Sequence, residues 1–79
     1  MAVFRMFAAA REAAGTGEDQ IQGRTVADVL AAARDRYGEG FGLVLDNSRV
    51  WLNGQPAALH DEVVDEDEVA VLPPVSGGT

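Results

Sequence analysis

The chain contains no cysteine and no lysine. Without cysteine there is no disulfide, no thiolate nucleophile, no persulfide and no thiolate metal site. Without lysine the amino terminus is the only amine, so no side chain can form a Schiff base or receive an isopeptide bond. The chain is therefore a poor acceptor for protein modifiers. Positive charge is also thin. Six arginines (Arg5, Arg11, Arg24, Arg34, Arg36 and Arg49) stand singly against 13 acids, for a formal net charge of -7. A surface without a basic stripe cannot track phosphates, which excludes nucleic acid as a partner. No apolar run approaches the roughly 20 residues that span a bilayer, and the start Met1-Ala2-Val3-Phe4-Arg5 lacks the pattern of a secretory leader. A cytoplasmic protein without a membrane partner is expected.

What is present fits one domain. The chain has 79 residues, of which 47% are hydrophobic. A domain of this size buries only about 60% of the surface that its unfolded chain exposes, too little for a deep, water-excluding active site of its own. Chemistry is expected to need a partner, and no cofactor or metal is expected to be bound by this chain.

The apolar segment Ala2 to Ala8 predicts a first strand. Gly15-Thr16-Gly17 predicts a loop over residues 9–17, with a short second strand at Asp19 to Gln22. Thr25 followed three residues later by Asp28 is a helix-start pattern. From there Val26, Val29, Leu30, Ala33 and Tyr37 share one face of an amphipathic helix ending at Gly38. The glycine-broken stretch Glu39 to Leu45 is expected to cover the core as a loop or short turn. Arg49 to Leu52 predicts a strand, Asn53-Gly54 a tight hairpin turn, and Gln55 to Ala57 the returning strand. Asp65 to Asp67 forms a polar turn before a last strand, Glu68 to Leu72, which Pro73 and Pro74 terminate because they lack donors.

This order of elements predicts an α+β fold, a mixed sheet of about five strands with one main helix across it. The first and last strands are the most apolar and are placed side by side, parallel, in the centre. That arrangement is the ubiquitin-like β-grasp, with a domain over 1–72 and a flexible tail over 73–79.

The tail is the most specific feature. Pro73 and Pro74 stiffen the exit from the sheet, and Val75-Ser76-Gly77-Gly78-Thr79 carries little side-chain bulk and great backbone freedom. Such a segment can thread a narrow groove and bring a terminal carboxyl group to another protein's active site. The plainer reading of the same residues is a frayed terminus.

Phe7-Ala8-x-x-Arg11-Glu12-x-x-Gly15-Thr16, the Asn53-Gly54-Gln55 hairpin, and the run from Asp65 through Asp67-Glu68-Val69-Ala70-Val71-Leu72 to Pro73-Pro74-Val75-Ser76-Gly77-Gly78 together resemble the MoaD/ThiS family over nearly the whole chain. Pro73-Pro74-Val75 is similar to the sulfur-carrying small subunit of molybdopterin synthase. The resemblance implies that Gly78 is the reacting residue. An adenylating partner uses ATP to turn its carboxylate into an acyl-adenylate, and a persulfide donor then leaves a C-terminal thiocarboxylate. The large synthase subunit next receives the tail through Pro73, Pro74, Val75, Ser76, Gly77 and Gly78, and sulfur passes to a pterin precursor to build the dithiolene of molybdenum cofactor. Thr79 departs from the pattern, in which the second glycine is terminal. Removal by a protease is the reading adopted here, beside an added residue or a copy diverted from sulfur transfer. Two alternatives stand: a non-catalytic ubiquitin-like interaction module, and a carrier that delivers sulfur to thiamine or cysteine synthesis.

Lesser signals are read more plainly. The six acids between Asp61 and Glu68 form a solvated turn or, beside an active tail, a patch that steers docking; they lack the glycine and ligand spacing of a calcium loop. His60 is read as surface polar, Phe4, Phe7 and Trp51 as core, and Arg11 and Glu12 as structural in the first loop.

Overall fold

The computed structural model describes residues 1–74. In chain order the elements are β1 (Ala2–Met6), α1 (Ala8–Ala14), β2 (Glu18–Ile21), α2 (Val26–Tyr37), α3 (Glu39–Asp46), β3 (Arg49–Leu52), β4 (Gln55–Pro56) and β5 (Glu68–Leu72). The sheet order is β2-β1-β5-β3-β4, with β1 and β5 parallel in the centre and the other pairs antiparallel. The two most apolar strands do lie side by side, and the architecture is the ubiquitin-like β-grasp.

Strand alternation decides what the sheet buries. Ala2, Phe4 and Met6 of β1 and Val69 and Val71 of β5 point to one side and are buried. There they meet Val26, Val29, Leu30 and Ala33 of α2 and Phe41 and Leu45 of α3, the helical stripe read from the sequence extended by a second helix. Phe41 seals the contact, its ring 6.3 Å edge-on from Phe4 and 5.2 Å from Tyr37. Full burial of each of these phenylalanines contributes about 1.5–3 kcal/mol, so the core rests heavily on this pair.

The start of α2 follows the expected logic with a small offset. Thr25 Oγ1 accepts from the Asp28 amide at 3.2 Å, and the Asp28 carboxylate accepts from the Arg24 amide, one residue before the cap. The first-turn amides of Val26 and Ala27 donate to the carbonyls of Asp61 and Leu59. The long loop before β5 thus closes over the helix N-terminus and satisfies donors that a helix leaves orphaned. α2 stops at Gly38, whose φ of 92° and ψ of -174° are accessible essentially to glycine alone.

Two segments differ from expectation. Residues 9–17 are a helix, α1, as far as Ala14. Its alanines are the best helix formers, and Gly15 in the left-handed region caps it by donating to the Arg11 carbonyl at 2.9 Å. Residues 39–46 are also helical. Gly40 and Gly42 each cost about 1 kcal/mol of helix propensity, yet Gly42 leaves the space that the Arg34 side chain of α2 occupies. A Cβ there would stand 2.7 Å from Arg34 Nη1. Instead Arg34 donates to the Gly42 carbonyl at 3.2 Å and to Asp46 at 2.7 Å, which ties the helices together. Among the described residues α2 is the main helix over the sheet, as expected, and the shorter α1 and α3 join it.

The hairpin at Asn53-Gly54 stands as expected. Both residues have positive φ, 51° and 83°, the requirement of a tight turn whose twist matches its strands.

Candidate functional site

β5 ends at Leu72, and the chain leaves the sheet through Pro73 and Pro74. Of the residues proposed to enter a partner, these two lie within the described part of the chain; Val75, Ser76, Gly77, Gly78 and Thr79 lie outside it. The structure therefore defines the root of the tail and what surrounds it.

Two apolar surfaces meet at that root. The first is the face of the sheet turned away from the helices. Register sets Arg5, Ala70, Trp51 and Pro56 in one row across four strands. Nearer the tail Leu72 sits between Arg49, its partner on β3, and Phe7, whose amide donates to the Val71 carbonyl at 3.3 Å. No described element covers this face. Phe7 and Trp51 were expected in the core, and the strand period explains the difference. Phe7 is in phase with Arg5, opposite Phe4 and Met6. Trp51 is in phase with Arg49, opposite Val50 and Leu52, which pack on the core. Phe7 is accordingly 45% exposed, while Phe4 is buried as expected. The chain turns from β1 into α1 through Ala8 at a φ of 51°, an uncommon conformation for alanine placed directly beside the tail root.

The second surface is a shallow groove of about 310 Å³ lined by Ala9 of α1, Leu43, Val44 and Asn47 at α3, and Pro73 and Pro74. Leu43 on its lip is 68% exposed. A short domain that leaves Phe7, Leu43 and Leu72 in water around one point has a surface suited to association. Sequence reading missed it because α3 was not expected and because strand phase was not used to sort the aromatics.

The acidic run starts away from the tail, and several of its acids are engaged within the chain. It precedes β5, whereas the tail follows it, and five residues of strand put roughly 13 Å between the two ends. Several of these acids build the turn. Asp61 accepts from the Ala58 amide at 2.8 Å, and Asp67 accepts from the Val64 amide at 2.9 Å and from Asn53 Nδ2 at 3.0 Å. Asp65 pairs with the amino terminus, and Glu68 pairs with Arg5. The amide of Val64, then the amide of Asn53, hold the Asp67 carboxyl below the usual carboxylate range. Asp19 is lowered too, first by the Tyr37 hydroxyl and then, against a raising effect of burial, by Arg36, which donates to it at 2.7 Å. That cluster fastens β2 to the end of α2. His60 is exposed in the loop, and Arg11 lies over Gly17 with Nε 3.3 Å from where a Cβ would stand. Among the described residues no three metal-binding side chains converge, and no helix is long and apolar enough to cross a membrane.

Known structures share this geometry. The small archaeal modifier protein 1 from Methanosarcina acetivorans is 32% identical, with 98% of this chain and 95% of that chain covered and a TM-score of 0.87. A putative molybdopterin converting factor, subunit 1, from Pyrococcus furiosus is 28% identical, with 94% and 97% covered and a TM-score of 0.82. A chain of the Amycolatopsis orientalis BexX/CysO complex, at 20% identity, matches over 99% of this chain and 100% of that one with a TM-score of 0.82, a likeness of fold. No curated protein matches. The model of the ThiS family matches residues 4–78, nearly the whole sequence. The chain belongs to the ThiS family of ubiquitin-like sulfur carriers.

Proposed function

We propose that this protein is the small subunit of a molybdopterin synthase and carries sulfur as a C-terminal thiocarboxylate on Gly78. The observation that carries the reading is the family match itself, which runs to Gly78 and leaves Thr79 outside. On this reading a protease first removes Thr79. An adenylating partner then joins the freed carboxylate to AMP with release of pyrophosphate, because a carboxylate alone is a poor electrophile. A persulfide sulfur displaces AMP, and thiol cleavage of the resulting S–S bond leaves the thiocarboxylate. With no cysteine in the chain, the sulfur has no other place to reside. No cofactor is held by the carrier itself; ATP is consumed by the adenylating enzyme. The open sheet face and the Pro73–Pro74 groove dock on the large subunit, which supplies the catalytic groups and positions the tail. The similarity to a molybdopterin converting factor subunit supports this acceptor.

The similarity to a small archaeal modifier protein favours a second reading, in which the same activated Gly78 is attached to another protein. There an amine displaces AMP and an amide forms. Reconstitution separates the two. With adenylating enzyme, sulfur donor, large subunit and pterin precursor, the chain ending at Gly78 is expected to support dithiolene formation, and deletion of Gly77 and Gly78 to abolish it. Dithiolene formed at an undiminished rate by the deleted chain refutes the proposal, and amide-linked adducts without dithiolene support the second reading.

A further inference from the structure

We propose that Arg49 is a specificity-determining contact for the enzyme that adenylates Gly78, pairing there with a carboxylate of that enzyme. The inference rests on the carrier reading above and deepens it by naming the chemistry of the partner's docking surface.

Arg5, Arg34 and Arg36 are each held by an acid of this chain. Among the described residues Arg11, Arg24 and Arg49 form no ion pair. Arg11 lies over Gly17, and Arg24 borders a depression shared with Asp28, Asp65 and Glu66, which soften its charge. Arg49 has no such neighbours. Its ladder partner is Leu72, the adjacent row of the face holds Trp51, Pro56 and Ala70, and Arg5 in that same row is paired with Glu68. Among the described residues its guanidinium has no ion-pair partner, and it stands at the apolar end of the open face beside the tail root, on a chain of net charge -7.

Two magnitudes decide what can cover it. Enclosing a guanidinium among apolar groups without a partner costs several kcal/mol, so a surface that seats on this face has to supply an acceptor. A cation opposite Arg49 adds repulsion and is rejected. The acidic turn does not reverse this preference. It stands roughly 13 Å away at the other end of β5, beyond a Debye length of about 8 Å at physiological salt. The partner thus has an apolar centre over Ala70 and Leu72 and an acidic side chain facing Arg49.

The test uses the adenylating enzyme purified from the same cells, with the carrier ending at Gly78, in ATP–pyrophosphate exchange. Arg49→Glu is expected to raise KM for the carrier about tenfold, with kcat within about twofold. Arg49→Lys stays near the unaltered chain, and Arg49→Ala falls between. KM of the unaltered chain rises with salt and that of Arg49→Glu does not. Equal KM for Arg49→Glu and the unaltered chain at low salt overturns the proposal. If Arg49→Glu fails to fold, a salt-independent KM of the unaltered chain overturns it instead. Absence of any exchange with the unaltered chain counts against the carrier reading, a result distinct from failure of Arg49 alone.

Discussion

The two ends of β5 carry opposite solutions to the same problem of placing side chains at a sheet margin. At the start, Asp61, Asp65, Asp67 and Glu68 are each committed to a partner within the chain, and charge is spent on holding a turn. At the finish, Phe7, Leu72 and Leu43 stand in water and, among the described residues, Arg49 pairs with no acid. One end is internally satisfied and the other is left unsatisfied around the root of the tail. The difference teaches that charge density is a poor guide to function here. The acidic end attracts attention in the sequence, but four of its six acids are engaged within the chain. The tail root is marked by apolar groups that nothing in the described chain covers.

The comparison can be broken most severely at the tail. Deleting Gly77 and Gly78 is expected to abolish sulfur transfer while the melting temperature stays unchanged, because the core ends with β5; a fall in melting temperature would tie the tail to the fold. Next in size, Phe7→Asp places a charge on the open face and is expected to weaken the large subunit's binding about tenfold. The stability cost stays below about 1 kcal/mol because the ring is already half in water. Unaltered binding by titration calorimetry would remove that face from the interface.

At the other end, Asp67→Ala is expected to cost about 1 kcal/mol in urea unfolding, after allowance for its exposure, without effect on sulfur transfer. Its sign with pH follows from linkage. The folded carboxyl titrates below its unfolded value, so its contribution is fully present at neutral pH and fades as pH falls below about 4. The variant should therefore show a shallower loss of stability on the acid side. An equal acid limb would mean that Asp67 is not held as described. The smallest effect is expected at Ala8. Glycine there relieves a left-handed alanine but loosens the unfolded chain, for a net gain of about 0.5 kcal/mol. A loss of about 1 kcal/mol, the usual cost of glycine inside a helix, would show that Ala8 carries no strain.

Much of this was legible in the sequence where local rules and packing agree. Thr25 and Asp28 open α2, Val26 to Ala33 write its buried face, Asn53-Gly54 turns the hairpin, and the apolar β1 and β5 take the centre of the sheet. α3 was hidden because Gly40 and Gly42 look like breakers until Arg34 is seen crossing to Gly42 and Asp46. α1 was obscured by the glycines that end it, although its alanines favoured a helix. Around the tail root, Phe7 and Trp51 could have been sorted by their strand phase against Phe4 and Val50. Arg49 could not, because its isolation depends on which strand lies beside it.

The central claim is that Gly78 carries the sulfur. Intact mass of the protein purified from its native cells tests it most directly. A chain ending at Gly78 with one carboxylate oxygen replaced by sulfur is the predicted result. A chain that retains Thr79, with no sulfur added, in cells actively making the cofactor would contradict it.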